Sequence, residues 1–329
     1  MTKAIRIHEF GGPDVLKWED LQVPLPGPGE ALIAQTAVGL NFIDVYHRTG
    51  AYPVPAMPAV IGSEGAGIVE AVGDGVTEVA VGDRAVYCMS LGGYAQQRLV
   101  PSRLLVRVPD GITDEQAAAM MLKGCTVQYL LRRTHRVKAG ETILFHAAAG
   151  GCGLIACQWA KHLGATVIGT VGTPEKAKLA KAHGCDHAIV YTQENVVERV
   201  KELTGGRGVP VVYDSVGKDT FETSLDCLQP FGLMVSFGNA SGAVPPFNPA
   251  ILAAKGSIYL TRPTLATHTA TRLQLEETAA ELFDVVTKGA VKIELNQRYP
   301  LEHAAQAHRD LEARNTTGST VLVTEAGPL

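Results

Sequence analysis

A chain of 329 residues with a formal net charge of −4 has room for one large domain or two ordinary ones, and its 46% hydrophobic content supplies a full core and excludes a disordered chain. The mildly acidic balance argues against nucleic acid or an anionic membrane as the main partner. No uninterrupted apolar run reaches the length that would span a bilayer.

The residues from Met1 to His8 alternate as a strand does and lack the apolar core of a signal peptide, so the cytoplasm is the expected location. The region to about Pro101 is β-rich and punctuated by glycine and proline, with strands expected at 3–9, 30–38, 67–72, 84–88 and 94–100. Thr113-Asp-Glu-Gln116 has the form of a capping box opening a helix that runs through Met120 and Met121. From about Gly124 to Leu265 the pattern alternates. Strands are expected at 142–146, 166–170, 188–191, 209–214, 233–237 and 257–260, with helices at 154–164, 174–182 and 195–203 between several of them. Short apolar strands alternating with helices predict an α/β fold built on a doubly wound parallel sheet. After Leu265 come a long helical pattern at 272–288, a strand at 293–299, a helix at 301–313 and a strand at 320–323.

The stretch Ala147-Ala-Ala-Gly-Gly-Cys-Gly153 joins the first strand of the alternating region to its first helix. Glycine there lets backbone approach a ligand, and the helix start offers unpaired N–H groups and a positive dipole end to a phosphate. Ala149, Gly150, Gly151, Cys152 and Gly153 are therefore expected to cradle a dinucleotide pyrophosphate. Cys152 reads as a small filler of this turn, although a helix N-terminus also lowers a thiol pKa. The six cysteines form no C-x-x-C pair and suggest neither zinc nor disulfides.

A site for NAD carries an acidic residue about 20 residues after the glycine turn, where it grips the ribose 2′-hydroxyl. Here the second strand ends at Gly172 and Thr173, neither acidic, and Glu175 falls on the following helix. Lys176 can attract a 2′-phosphate, with Tyr191 flanking the adenosine end, so NADPH is expected as the cofactor. The competing reading makes Lys176 a solvated helix residue in a lysine-rich run.

Several motifs taken together, Gly39-Leu-Asn-Phe-Ile-Asp44, Gly62-Ser-Glu-Gly-Ala-Gly67, Gly82-Asp-Arg84, the 147–153 turn and Thr261-Arg-Pro263, resemble the medium-chain dehydrogenase/reductases. More narrowly, the chain resembles their zinc-free, zeta-crystallin-like NADPH:quinone oxidoreductase branch. The resemblance implies a GroES-like catalytic domain at 1–123, a Rossmann domain at 124–265 and a return segment at 266–329 that completes the first. Zinc-dependent relatives use a cysteine at the position of Asn41 and a histidine at Ser63. Asparagine and serine are poor zinc ligands, so no metal is expected.

What remains is hydride transfer from NADPH to an electron-poor acceptor lodged, the resemblance implies, in the cleft between domains. A quinone is the first expectation and an α,β-unsaturated aldehyde or ketone the alternative. Asn41, Asp44, Tyr46 and Tyr52 match the catalytic segment. Asn41 either donates to the acceptor or positions the nicotinamide ribose, and the tyrosines offer ring faces and hydroxyls. Packing competes with function for Tyr46. Backbone bonding is favoured for Asp44, a structural role for Glu64 and plain exposure for His47. Thr126, Ser215, Phe237, Gly238, Asn239, Arg262 and Asn315 complete the cofactor set, with an ion-pair role as the alternative for Arg262. The resemblance also implies a homodimer through the edge strand near 257–262. An alternative of another class, also implied by the resemblance, is a zeta-crystallin-like non-catalytic NADPH- or RNA-binding protein. The basic cluster Arg132, Arg133, His135, Arg136 and Lys138 reads as a solvated face, which leaves RNA binding without general electrostatic support.

Overall fold

The computed structural model describes residues 2–324. They group into two units: one of residues 2–125, 269–287 and 293–324, the other of Thr126–His268 and Lys288–Lys292.

The first unit is largely antiparallel. Its long strand Glu30–Gly39 pairs antiparallel with Glu64–Val72, with Gln97–Pro101 through residues 30–34, and with Ser319–Val323 through residues 37–39. Ala31, Ile33, Gln35 and Ala37 alternate inward along it, the period expected of a strand with one buried face. Arg84–Cys88 and Val106–Arg107 continue the sheet at one end and Leu295–Pro300 at the other, so the C-terminal segment supplies two of its strands. A smaller sheet holds Thr2–Ile7 between Lys17–Leu21 and Ala59–Val60. The expected capping box is present: the Thr113 N–H donates to Gln116 Oε1 at 3.0 Å, and the Gln116 N–H to Thr113 Oγ1 at 3.1 Å. It opens the helix Asp114–Tyr129.

The second unit is a six-stranded parallel sheet in the order His187–Val190, Thr166–Val171, Thr142–Phe145, Val209–Asp214, Leu228–Ser236, Tyr259–Thr261. In chain order this is third, second, first, fourth, fifth, sixth, the doubly wound nucleotide-binding arrangement. Leu144, Ile168, Ile189, Val212 and Met234 from five strands bury their side chains with Val200, Phe221 and Leu225 from the covering helices. Each such side chain contributes roughly 1.5–3 kcal/mol.

Several boundaries differ from the sequence pattern, each for a local reason. The glycine turn itself forms the first helical turn, so the helix runs Gly151–His162 and not from 154. The fifth strand starts at Leu228, five residues before the apolar run that marks it. The sixth is only Tyr259–Thr261, since Ser257 has φ +55°. Tyr94 precedes its strand, held by its N–H bond to the Ile61 carbonyl. The pattern at 301–313 is a 3-10 turn, Leu301–His303, followed by the helix Ala304–Glu312.

Candidate active site

In the first unit the sharp feature is the helix Phe42–Thr49, which the sequence pattern did not mark as helical. Asn41 stands at its N-cap, and its backbone N–H donates to Asp44 Oδ2 at 2.9 Å, the return half of a capping box. This turn sets Asp44 in a fully buried position. Asp44 Oδ1 lies 2.8 Å from Ser63 Oγ, and Tyr94 Oη is 3.1 Å from Asp44 Oδ2. The chain of bonds runs on from Tyr94 to His308 Nε2 at 3.0 Å, from His308 Nδ1 to Arg48 Nη1 at 2.9 Å, and from Arg48 to both carboxylate oxygens of Glu312 at 2.8 Å.

One member of this chain fixes every proton in it. Arg48 can only donate. His308 Nδ1 therefore accepts, its Nε2–H donates to Tyr94, and the Tyr94 hydroxyl donates to Asp44. Asp44 Oδ2 already accepts from two donors, so a proton taken up by the carboxyl sits on Oδ1 and faces Ser63. Burial raises the Asp44 pKa to about 7, helped slightly by Glu64 and opposed by the bonds from Ser63, Asn41 and Tyr94. Burial, together with the Arg48 charge, lowers that of His308 to about 3. The network is thus a neutral histidine and a carboxyl poised near neutrality.

Beside it lies a second cluster. Glu64 is fully buried, and its carboxylate accepts from Asn41 Nδ2 at 2.7 Å, from the Leu122 N–H at 2.6 Å and from Lys123 Nζ at 3.0 Å. The space is fully used: a Cβ on Gly39 would lie 2.1 Å from Glu64 Oε1 and 2.3 Å from the Ala118 carbonyl oxygen, so only glycine fits there. Glu64 has the bonding role expected of it. Lys123 was missed because one lysine in a helix of methionine and alanine carries no spacing signal.

Tyr46 and Tyr52 come together as half-buried rings, with centroids 5.1 Å apart, and the Tyr52 N–H donates to the Tyr46 carbonyl. Phe42, also absent from the expected set, extends this aromatic wall with a centroid 6.5 Å from Tyr46. His47 bonds the Pro53 carbonyl through Nδ1 at 3.2 Å.

In the second unit the strand Thr142–Phe145 runs into the turn at 146–150, and Gly150 is the N-cap of Gly151–His162. A Cβ on Gly153 would come 2.3 Å from the Ala147 carbonyl oxygen and 2.6 Å from Ala148, whereas one on Gly150 would meet only the Ala147 oxygen, at 3.3 Å. Gly153 thus serves close packing of helix on turn, and Gly150 leaves its outer side open. The first turn of a helix offers backbone N–H groups suited to a phosphate, and here that turn is Gly151, the half-buried Cys152 and Gly153, next to Ala149.

A buried polar network pins the strand ends below this turn. The Ser224 hydroxyl donates to Asp214 Oδ2 at 2.7 Å, so His146 Nε2–H donates to Ser224 at 3.0 Å and Nδ1 accepts from Thr170 at 2.8 Å. Burial lowers the His146 pKa and keeps the ring neutral.

Gly172, Thr173, Lys176 and Tyr191 gather at the end of the second strand. A Cβ on Gly172 would lie 2.9 Å from the Tyr191 hydroxyl, and Thr173 Oγ1 caps the next helix by accepting the Lys176 N–H at 3.3 Å. Ser215, Phe237, Gly238, Asn239 and Arg262 form a further group at the carboxyl ends of the fourth to sixth strands. The Phe237 N–H donates to the Asp214 carbonyl, that of Ala240 to the Ser215 carbonyl, and Arg262 reaches the Gly238 carbonyl at 3.1 Å and Ser236 Oγ at 3.4 Å. Arg262 thus braces the loop after the fifth strand. Thr126 is buried in its helix, and Asn315 is exposed in the turn after Ala304–Glu312. Among the described residues no three His, Cys, Asp or Glu side chains group as a metal would require, and no helix is long and apolar enough to cross a membrane.

Two family models match: one described as zinc-binding dehydrogenase over residues 151–282, the other as alcohol dehydrogenase GroES-like domain over residues 27–110. A quinone oxidoreductase of Pseudomonas aeruginosa is 57% identical over 98% of this chain and all of its own length. A 2-haloacrylate reductase of a Burkholderia species is 47% identical over 99% of this chain and all of its own. The crystal structure of Escherichia coli quinone oxidoreductase complexed with NADPH has a TM-score of 0.96 at 50% identity, covering 98% of this chain and 99% of that one.

Proposed function

Since the chain belongs to the quinone oxidoreductase family of the medium-chain dehydrogenase/reductases, we propose that it is an NADPH-dependent quinone oxidoreductase. The observation that carries the cofactor is the parallel sheet whose first strand enters a glycine turn and a helix N-terminus, with no acidic side chain at the tip of the second strand. NADPH, when bound, supplies the hydride. The chain's own part is to hold the pyrophosphate on the N–H groups of the 150–153 turn, the 2′-phosphate beside Lys176, and the nicotinamide side by Thr126, Ser215, 237–239 and Arg262.

Asn41, Tyr46 and Tyr52 orient the quinone, and the two rings give its face a surface to lie against. Quinones need little Lewis-acid help. The zinc in the name of the matched family model does not fit this donor set, because Asn41 and Ser63 are poor ligands and the Lys123 ammonium already rests on Glu64. No step runs through a metal.

A second reading, reduction of a conjugated or halogen-activated alkene, is favoured by the haloacrylate reductase relative. NADPH oxidation measured against a panel of quinones, enals and haloacrylates separates the two: quinone turnover well above the rest supports the first reading, and the reverse order replaces it with the second. The six cysteines form no disulfide among the described residues, which suits a reducing compartment such as the cytoplasm. The exposed edge strand Tyr259–Thr261 is the surface we assign to a homodimer, to be checked by sedimentation.

A further inference from the structure

We infer that Lys123 and Glu64 form a buried positioning pair that fixes which way the Asn41 amide faces. Glu64 Oε1 receives both Lys123 Nζ, at 3.0 Å, and Asn41 Nδ2, at 2.7 Å, while Oε2 receives the Leu122 N–H. The side chains of Lys123 and Glu64 are 8% and 0% exposed, so water does not compete for these bonds. A carboxylate paired with an ammonium only accepts. The amide must then turn its NH2 group toward Glu64, which puts its carbonyl oxygen where the capping box has it accept the Asp44 N–H and leaves its second N–H for a ligand. One such donor suits a carbonyl or hydroxyl oxygen. The reversed amide would turn its oxygen toward the Glu64 carboxylate, and it is forbidden while Glu64 is ion-paired. Asp44 adds a second constraint through the capping box it forms with Asn41, whereas Tyr94 bonds Asp44 and His308, and Arg48 bonds His308 and Glu312, none of them the Asn41 side chain.

This inference rests on the reading of Asn41 as a contact to the acceptor, and the test separates the failure of the inference from the failure of that reading. Lys123→Met leaves the buried Glu64 carboxyl without its cation and breaks the pair that holds the amide. Glu64→Gln with Lys123→Met removes both charges and preserves packing if the single variant does not fold.

In the apo protein the Asn41 side-chain amide, assigned by its loss in Asn41→Ala, should show a hydrogen-bonded proton in two-dimensional nitrogen–proton spectra that moves upfield in either variant. In the holoenzyme, kcat with p-benzoquinone should fall roughly 10- to 100-fold, the range expected of a misplaced positioning group, with NADPH affinity unchanged. Lys123→Arg should restore part of it. In an Asn41→Ala background the Lys123 substitution should add nothing. An unmoved amide signal, or a full additional loss in the Asn41→Ala background, overturns the inference. An Asn41→Ala enzyme with normal kcat instead removes the active-site reading beneath it.

Discussion

Asp44→Asn should make this protein more stable above neutral pH, and the size of the effect follows from the buried network. The Asp44 pKa stands at about 7 in the folded protein against 3.8 as the ordinary value. Its folded value is the higher one. The contribution is therefore present in full below pH 3.8 and is withdrawn as pH rises to about 7, at about 1.4 kcal/mol per pH unit, or about 4 kcal/mol in all. His308 runs the other way. Its value falls from 6.5 to about 3, so its contribution is complete above pH 6.5 and is withdrawn as pH falls through that window. Between 3.8 and 6.5 the two slopes cancel in the parent protein.

The amide of Asp44→Asn mimics the protonated acid: its carbonyl accepts from Tyr94 and the Asn41 N–H, and its NH2 donates to Ser63. Urea unfolding of parent and variant at a series of pH values should show the variant gaining about 4 kcal/mol on the parent between pH 4 and pH 8. His308→Gln should leave the Asp44 slope alone, with stability falling as pH rises. A difference curve independent of pH, or slopes of the same sign in the two variants, would refute the assignment of the proton to Asp44.

Gly150→Val should weaken NADPH binding markedly while the fold persists, read by fluorescence titration and circular dichroism, because the added methyls project on the open side of the turn. Gly153→Val should lose fold as well as cofactor, since its Cβ meets backbone at 2.3 Å, and equal melting temperatures for the two variants would contradict this. Lys176→Ala should lower the ratio of kcat/KM for NADPH over NADH by about tenfold, the worth of one screened charge contact, and an unchanged ratio returns Lys176 to the solvent. His146→Ala removes two buried hydrogen bonds and leaves a void under the phosphate turn. It should cost about 2–4 kcal/mol in a denaturation experiment, and a loss under 1 kcal/mol would show that the strand ends are held otherwise.

The parallel unit was legible because its signals are local: an apolar strand, a glycine turn and a helix follow one another within about twenty residues around Gly150. The capping box at Thr113–Gln116 was legible for the same reason. The short helix Phe42–Thr49 was not, since eight residues give little periodicity and its start depends on the Asn41–Asp44 turn. The buried networks were harder still. Arg48 and His308 meet across 260 positions of sequence, and Glu64 and Lys123 across 59. A charged residue reads as a solvated one until the fold supplies its partner, which is why a glycine-rich motif points to Glu64 while nothing local points to Lys123, Arg48 or His308. The tyrosine pair Tyr46 and Tyr52 was named from the motif, and their ring contact came only with the helix that turns one toward the other.

Steady-state oxidation of NADPH by p-benzoquinone, run on purified protein before and after exhaustive treatment with a zinc chelator, bears most directly on the proposed chemistry. Turnover should require both partners, prefer NADPH to NADH and be the same before and after chelation. No oxidation with any quinone, or activity that chelation abolishes and added zinc restores, would contradict it.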